Sequence, residues 1–185
     1  MLKTLHQIAS VGIVSESPPQ ADEALRIRDG LQDRIRAVLG RALCIRHVDA
    51  GSCNGCELEI HALNNPLYNI EGLGIRFVAS PRHADLLLVT GPVSKNMEVA
   101  LRRTYEATPD PKLVVAIGDC GCNGGIFGES YASHGAVSQV VPLDVVVPGC
   151  PPNPTLILQG ILSALAPSGA HSATEAPSRR APERE

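Results

Sequence analysis

From Cys44 onward the chain alternates short, densely apolar runs with longer stretches in which apolar side chains recur every three or four positions. The runs Leu86-Leu87-Leu88-Val89 and Val114-Val115-Ala116-Ile117 contain no polar position. Both faces of such strands must be covered, as in a parallel sheet flanked by helices. On this pattern strands are expected at Cys44–Val48, Ile75–Ala79, Leu86–Thr90, Leu113–Gly118 and Val145–Val147. Helices are expected at Glu57–Leu63, Ser94–Ala107 and Pro154–Ala166. The implied architecture is a three-layer α/β domain with a mainly parallel sheet.

The two ends read differently. Residues 1–43 form a helical leader, broken at Ser17-Pro18-Pro19-Gln20. Past the proline pair, Leu25, Leu31, Ile35, Val38 and Leu39 recur near helical spacing up to Gly40, which suits a helix C-terminus. This apolar stripe serves either its own domain or a docked partner or membrane surface. Residues 44–166 carry the α/β pattern, and 167–185 are Pro, Ala, Ser and charge without periodicity, the composition of a disordered tail.

Composition removes several function classes. Aromatics are 3% of the 185 residues and Trp is absent, so stacking platforms for single-stranded nucleic acid are nearly missing. Sixteen basic against nineteen acidic side chains give a net charge of -3, far from the basic balance of nucleic-acid binders. No apolar run approaches the ~20 residues of a membrane-spanning helix. The N-terminus lacks a secretory apolar region, and no twin-Arg motif precedes an apolar stretch, so a cytoplasmic chain is expected. In that reducing setting six cysteines point to metal or redox chemistry rather than to disulfides.

Cys53 and Cys56 follow the first expected strand, Cys120 and Cys122 the fourth, and Cys150 the fifth. In a parallel sheet those strand ends share one edge, where the ligands of open α/β proteins collect. A CxxC pair with two further cysteines supplies four thiolates, enough for a 4Fe-4S cluster or a tetrahedral zinc. Ligands from three separate crossings, with Gly51, Gly55, Gly118, Gly121, Gly124, Gly125 and Gly149 beside them, favour the cluster over a compact zinc knuckle. A CxxC between strand and helix is also the thioredoxin-like arrangement, so a thiol oxidoreductase or zinc module using Cys53 and Cys56 is the alternative from another class. Cys44, inside a strand, reads as a buried small apolar residue. Cys122 stays open between ligand, spectator and redox-sensitive neighbour. His61, His83 and His134 read as surface or core histidines, and Glu57 and Glu59 as first-turn acids favoured by the helix dipole. No phosphate loop, GxGxxG or nucleophile triad is legible.

Four motifs carry a resemblance. They are Gly51-Ser52-Cys53-Asn54-Gly55-Cys56-Glu57; Ser80-Pro81-Arg82-His83-Ala84-Asp85 with Thr90-Gly91-Pro92-Val93; Gly118-Asp119-Cys120 with Gly124-Gly125; and Pro148-Gly149-Cys150-Pro151-Pro152. In this order, between about Arg46 and Leu165, they resemble the 20 kDa subunit family of respiratory complex I, which also holds the small subunits of nickel-iron hydrogenases. The resemblance implies a flavodoxin-like fold and one 4Fe-4S cluster on Cys53, Cys56, Cys120 and Cys150, with Cys122 at a variable position. It also implies a large-subunit partner that carries the nickel-iron centre or shapes a quinone pocket, a ferredoxin-like iron-sulfur subunit and membrane subunits. Complex I members place two adjacent cysteines in the first motif, whereas here Asn54 and Gly55 separate them, as in hydrogenases. No cysteine follows Cys150, so a single cluster is expected. The combination is most similar to small subunits of membrane-bound hydrogenases of the formate hydrogenlyase type. The expected role is electron transfer beside the large subunit's active site, peripherally attached at the inner face of the membrane. The alternative is the cluster subunit of a complex I-like NADH:quinone oxidoreductase.

Overall fold

The structure, a computed structural model, describes Lys3, His6, Ser10 and residues 21–166, with the backbone alone for 21–29. The break expected at Ser17–Gln20 and the tail at 167–185 lie outside the described residues. Helix α1 (Ala21–Leu39) leads into β1 (Leu43–Asp49), followed by α2 (Gly55–Ala62), β2 (Ile75–Phe77) and β3 (Leu86–Thr90). Then come α3 (Lys95–Ala107), β4 (Leu113–Ile117), α4 (Gly118–Asn123), β5 (Val145–Val147) and α5 (Pro154–Ala164). The five strands are all parallel, in the order β2-β1-β3-β4-β5. This is the flavodoxin-like doubly wound order, in which the winding reverses between β1 and β3.

Strand alternation divides the apolar runs between two cores. On β3, Leu86 and Leu88 enter one core while Leu87 and Val89 enter the other; on β4, Val115 and Ile117 oppose Val114 and Ala116 in the same way. The first core is closed by Leu31 and Ile35 of α1, Ile60 of α2, and Ile157, Leu158 and Ile161 of α5. The second is closed by Leu101 of α3 and by Val137, Val140 and Val141. Each such Leu or Ile contributes about 1.5–3 kcal/mol relative to exposure, which is why strands of five residues suffice. Leu31 and Ile35 are fully buried and Leu39 packs against the same core, whereas Val38 of the stripe is exposed. That helix ends at Gly40, which adopts a left-handed φ of 61°.

Two elements differ from the sequence pattern. β2 stops at Phe77 rather than reaching Ala79, because it is an edge strand whose pairing with β1 ends at Ile45↔Phe77 before the chain turns into Pro81. The α4 turn forms where a loop was expected; its Gly, Asp, Cys and Asn have no apolar stripe to announce a helix.

At the far side of the sheet α5 lies directly on β5. A Cβ placed on Gly160 would overlap the Val147 side chain. Gly160→Ala is therefore expected to destabilise the protein by about 1–3 kcal/mol through overpacking, read as a lowered thermal midpoint.

Candidate metal centre at the carboxyl edge of the sheet

Three loops leave the carboxyl ends of β1, β4 and β5, and each is held by backbone hydrogen bonds. On the first, Asp49 Oδ1 accepts from the N–H groups of Gly51 and Ser52, both at 2.8 Å. Burial pushes the Asp49 carboxyl up, but these N–H groups together hold it below its ordinary range. Asn54 then takes a left-handed conformation, φ 71°, and turns the chain into α2, which carries Cys56. The other two loops are tied to each other. Asp119 N–H donates to the Gly149 carbonyl at 2.8 Å, and Gly149 N–H donates to Asp119 Oδ1 at 2.8 Å. Cys120 and Cys150, each one residue further on, are set by this reciprocal pair.

All six cysteines are free thiols. Cys53, Cys120 and Cys150 line one open hollow of about 380 Å³ together with Asp119, Ile126 and Phe127. Cys56 sits beside it, half-buried, with its thiol facing the Ile117 carbonyl at 3.9 Å. Burial pushes the Cys56 thiol up to about 12, and Glu57, Cys120, Cys53 and Cys150 reinforce the shift. Burial likewise raises Cys120, with Cys150 and Cys53 adding to it. The four cysteines therefore share one electrostatic neighbourhood.

Cys122 does not join them. Its thiol points back at the Ala116 carbonyl, 3.9 Å away, and burial raises it to about 12, with Asp119 and Cys120 as its acidic neighbours. Cys44 is buried in β1, where the Arg76 Nε–H points at its sulfur from 3.4 Å.

The backbone leaves room around these sulfurs. A Cβ on Gly118, whose φ is +83°, would lie 2.5 Å from Cys56 Sγ; one on Gly125, φ +56°, would lie 2.8 Å from Cys120 Sγ. Any side chain at either place would collide with a thiol, so glycine keeps the space beside these two sulfurs open, as a sulfur-ligated group needs. Among the described residues no three His, Cys, Asp or Glu side chains are close enough to hold a single metal ion. His61, His83 and His134 accordingly form no such group.

Residues 53–164, the stretch that spans all four of these cysteines, match the family model described as NADH ubiquinone oxidoreductase, 20 Kd subunit. The chain belongs to this family. It is thus an oxidoreductase subunit of the complex I 20 kDa type. Among its relatives it is 47% identical over 141 residues to a probable membrane-bound hydrogenase subunit, mbhJ, of Pyrococcus furiosus, covering 75% of this chain and 84% of that one. It is 46% identical over 149 residues to formate hydrogenlyase subunit 7 of Escherichia coli, covering 80% of this chain but only 57% of that subunit. A chain in the structure of an archaeal respiratory membrane complex, the membrane-bound sulfane sulfur reductase, superposes with a TM-score of 0.60 at 34% identity over 74% of each chain. Among the described residues no helix is long and apolar enough to cross a membrane.

Sequence reasoning missed the burial of Glu57, which is only 7% exposed although it sits in the first turn of a short helix. It also passed over His47, whose ring meets the Thr90 hydroxyl at 3.0 Å across the β1–β3 pair. Neither carries a periodic signal: the His47 contact is set by the β1–β3 register and the burial of Glu57 by tertiary packing.

The raised thiols set a pH dependence. Folded Cys56 and Cys122 titrate at about 12 against an ordinary value of 9.0, so their contribution to stability is complete below pH 9 and is lost as pH rises toward 12. The cluster-free chain is expected to lose thermal stability over that interval, with Cys122→Ala flattening the loss. Iodoacetamide at pH 8 should modify exposed Cys53 and Cys150 at least about tenfold faster than Cys56 and Cys122.

Proposed function

We propose that Cys53, Cys56, Cys120 and Cys150 hold one 4Fe-4S cluster, and that the chain is the electron-transfer small subunit of a membrane-associated nickel-iron hydrogenase. The observation that carries the reading is the gathering of three of these thiols on one hollow with Cys56 beside it, and not Cys122 or Cys44. When bound, such a cluster supplies one-electron transfer. The chain's own residues do the rest. The Asp119–Gly149 pair fixes the spacing of the third and fourth thiols, Gly118 and Gly125 keep side chains out, and raised thiols give up protons as they are ligated.

Ile126 and Phe127 are large, exposed and on the rim of the hollow, a surface suited to cover by another protein. The proposed cover is the large subunit, with a ferredoxin-like subunit and membrane subunits completing a complex at the cytoplasmic face. Residues 44–166 are the proposed cluster-bearing unit, with 1–43 as a leader docking on a neighbouring subunit. The CxxC spacing and the resemblance to the hydrogenase and hydrogenlyase subunits favour hydrogen chemistry in the partner. The likeness to a chain of the sulfane sulfur reductase complex favours a second reading, with the same electron-transfer role and a different terminal reaction.

Anaerobically reconstituted protein is expected to contain about four iron and four sulfide per chain, with an electron paramagnetic resonance signal on reduction. A colourless protein holding one zinc would overturn the assignment. Serine at Cys53, Cys56, Cys120 or Cys150 should abolish or severely reduce the iron content, because a hydroxyl is a poorer iron ligand than a thiolate. Cys122→Ser should be milder than Cys120→Ser, and Cys44→Ser should leave the cluster in place; the reverse order would reassign the third ligand.

A further inference from the structure

A second hollow, of about 300 Å³, lies beside the open edge of β1 and is walled by Arg46, His47, Glu57, Ile60, His61 and Phe77. β2 pairs with β1 only as far as Ile45↔Phe77, while β1 runs on to Asp49, so among the described residues no strand lies beside this edge beyond Ile45. Glu57 is 7% exposed, and neither of its carboxylate oxygens has a hydrogen-bond partner among the described residues. The His47 Nε2 is 3.6 Å from Glu57 Oε1, too far to bond. That nitrogen is engaged elsewhere: the Thr90 hydroxyl points at the Val48 carbonyl at 3.5 Å, leaving its oxygen to accept the Nε2 proton at 3.0 Å. Arg46, which lines the same pocket, has a buried Nε–H without an acceptor among the described residues. The pocket thus combines two unmet acceptors with one unmet donor, above the apolar side chains of Ile60 and Phe77. Buried polar groups of this kind are nearly always paired, with protein or with ordered water.

We propose that the pocket takes a peptide group from an extended segment of the subunit that covers the neighbouring face, its N–H donating to Glu57 and its carbonyl accepting from Arg46. An amide answers both needs in one group. A cationic side chain does not, since Arg46 and Glu57 already balance in charge and the newcomer would sit beside a guanidinium. The uncovered edge of β1 adds main-chain groups of the kind an added extended segment pairs with. The inference rests on the assembly reading above.

The test uses the native complex with a photoreactive amino acid at His61, an exposed residue of the pocket wall. Irradiation and peptide mass spectrometry are expected to show cross-linking to one continuous segment of a co-purified subunit. Glu57→Ala should cut that yield at least tenfold with iron and sulfide per chain unchanged, and Glu57→Gln, which keeps a carbonyl acceptor, should restore most of it. Arg46→Ala acts on the other wall, away from the cysteine loop, and should also cut the yield; it decides the matter if Glu57→Ala loses iron. Cross-linking only to residues 1–20 of this chain, no cross-link, or a yield indifferent to these variants overturns the proposal. A native preparation with neither iron and sulfide nor a co-purifying subunit overturns the functional reading and this one with it.

Discussion

Everything at the candidate centre depends on the parallel sheet bringing three chain crossings to one edge. Each parallel crossover returns the chain to the amino end of the next strand, so the residues leaving β1, β4 and β5 meet at the carboxyl edge although about 100 positions separate Cys53 from Cys150. The sheet supplies convergence but not spacing. Spacing comes from the reciprocal Asp119–Gly149 hydrogen bonds, which lock the β4 and β5 loops in register, and from the Asp49 carboxylate, which folds the β1 loop over its own N–H groups. A loop fixed at both its strand and its turn keeps a thiol in place without a disulfide.

The same arrangement accounts for the thiol electrostatics. Burial, reinforced by the neighbouring cysteines, pushes the Cys56 and Cys120 thiols up, so these two hold their protons in the cluster-free centre. Ligation by iron requires thiolates, and the positive charge of the metal removes the repulsion that held the protons on. Cys122 shares the burial but, of the four proposed ligands, only Cys120 as a neighbour: its raised value has the buried interior as its main cause, and its sulfur faces the Ala116 carbonyl. Two cysteines separated only by Gly121 thus face different surroundings because a short helix turns successive side chains in different directions.

The features legible in the sequence were those with a period or a punctuating residue. The consecutive apolar residues of β3 and β4 announced strands buried on both faces, and the loop positions of Cys53, Cys56, Cys120 and Cys150 followed from the strand ends. What escaped notice was set by tertiary context. The α4 turn is only six residues of Gly, Asp, Cys and Asn, and β2 is cut short because an edge strand has a single neighbour to define its length. Glu57 looked like an ordinary first-turn acid, but the packing of α2 on the sheet buries it in the wall of a half-open pocket. A single sequence cannot report where an edge strand stops, so it cannot report what is uncovered or buried beside it.

The incompleteness of the chain's surface is itself a structural argument. Two hollows among the described residues lie at the same end of the sheet, one carrying thiols with Ile126 and Phe127 on the rim, the other carrying a buried carboxylate without a donor among those residues. An autonomous domain gains nothing from exposed apolar side chains beside an unpaired buried acid, since the first invites association and the second costs the desolvation of a polar group. Both liabilities disappear if one partner covers that end. The proposed electron-transfer role calls for the same cover, because a centre recessed behind α2 and the two hydrogen-bonded loops exchanges electrons only with what is pressed against its open side.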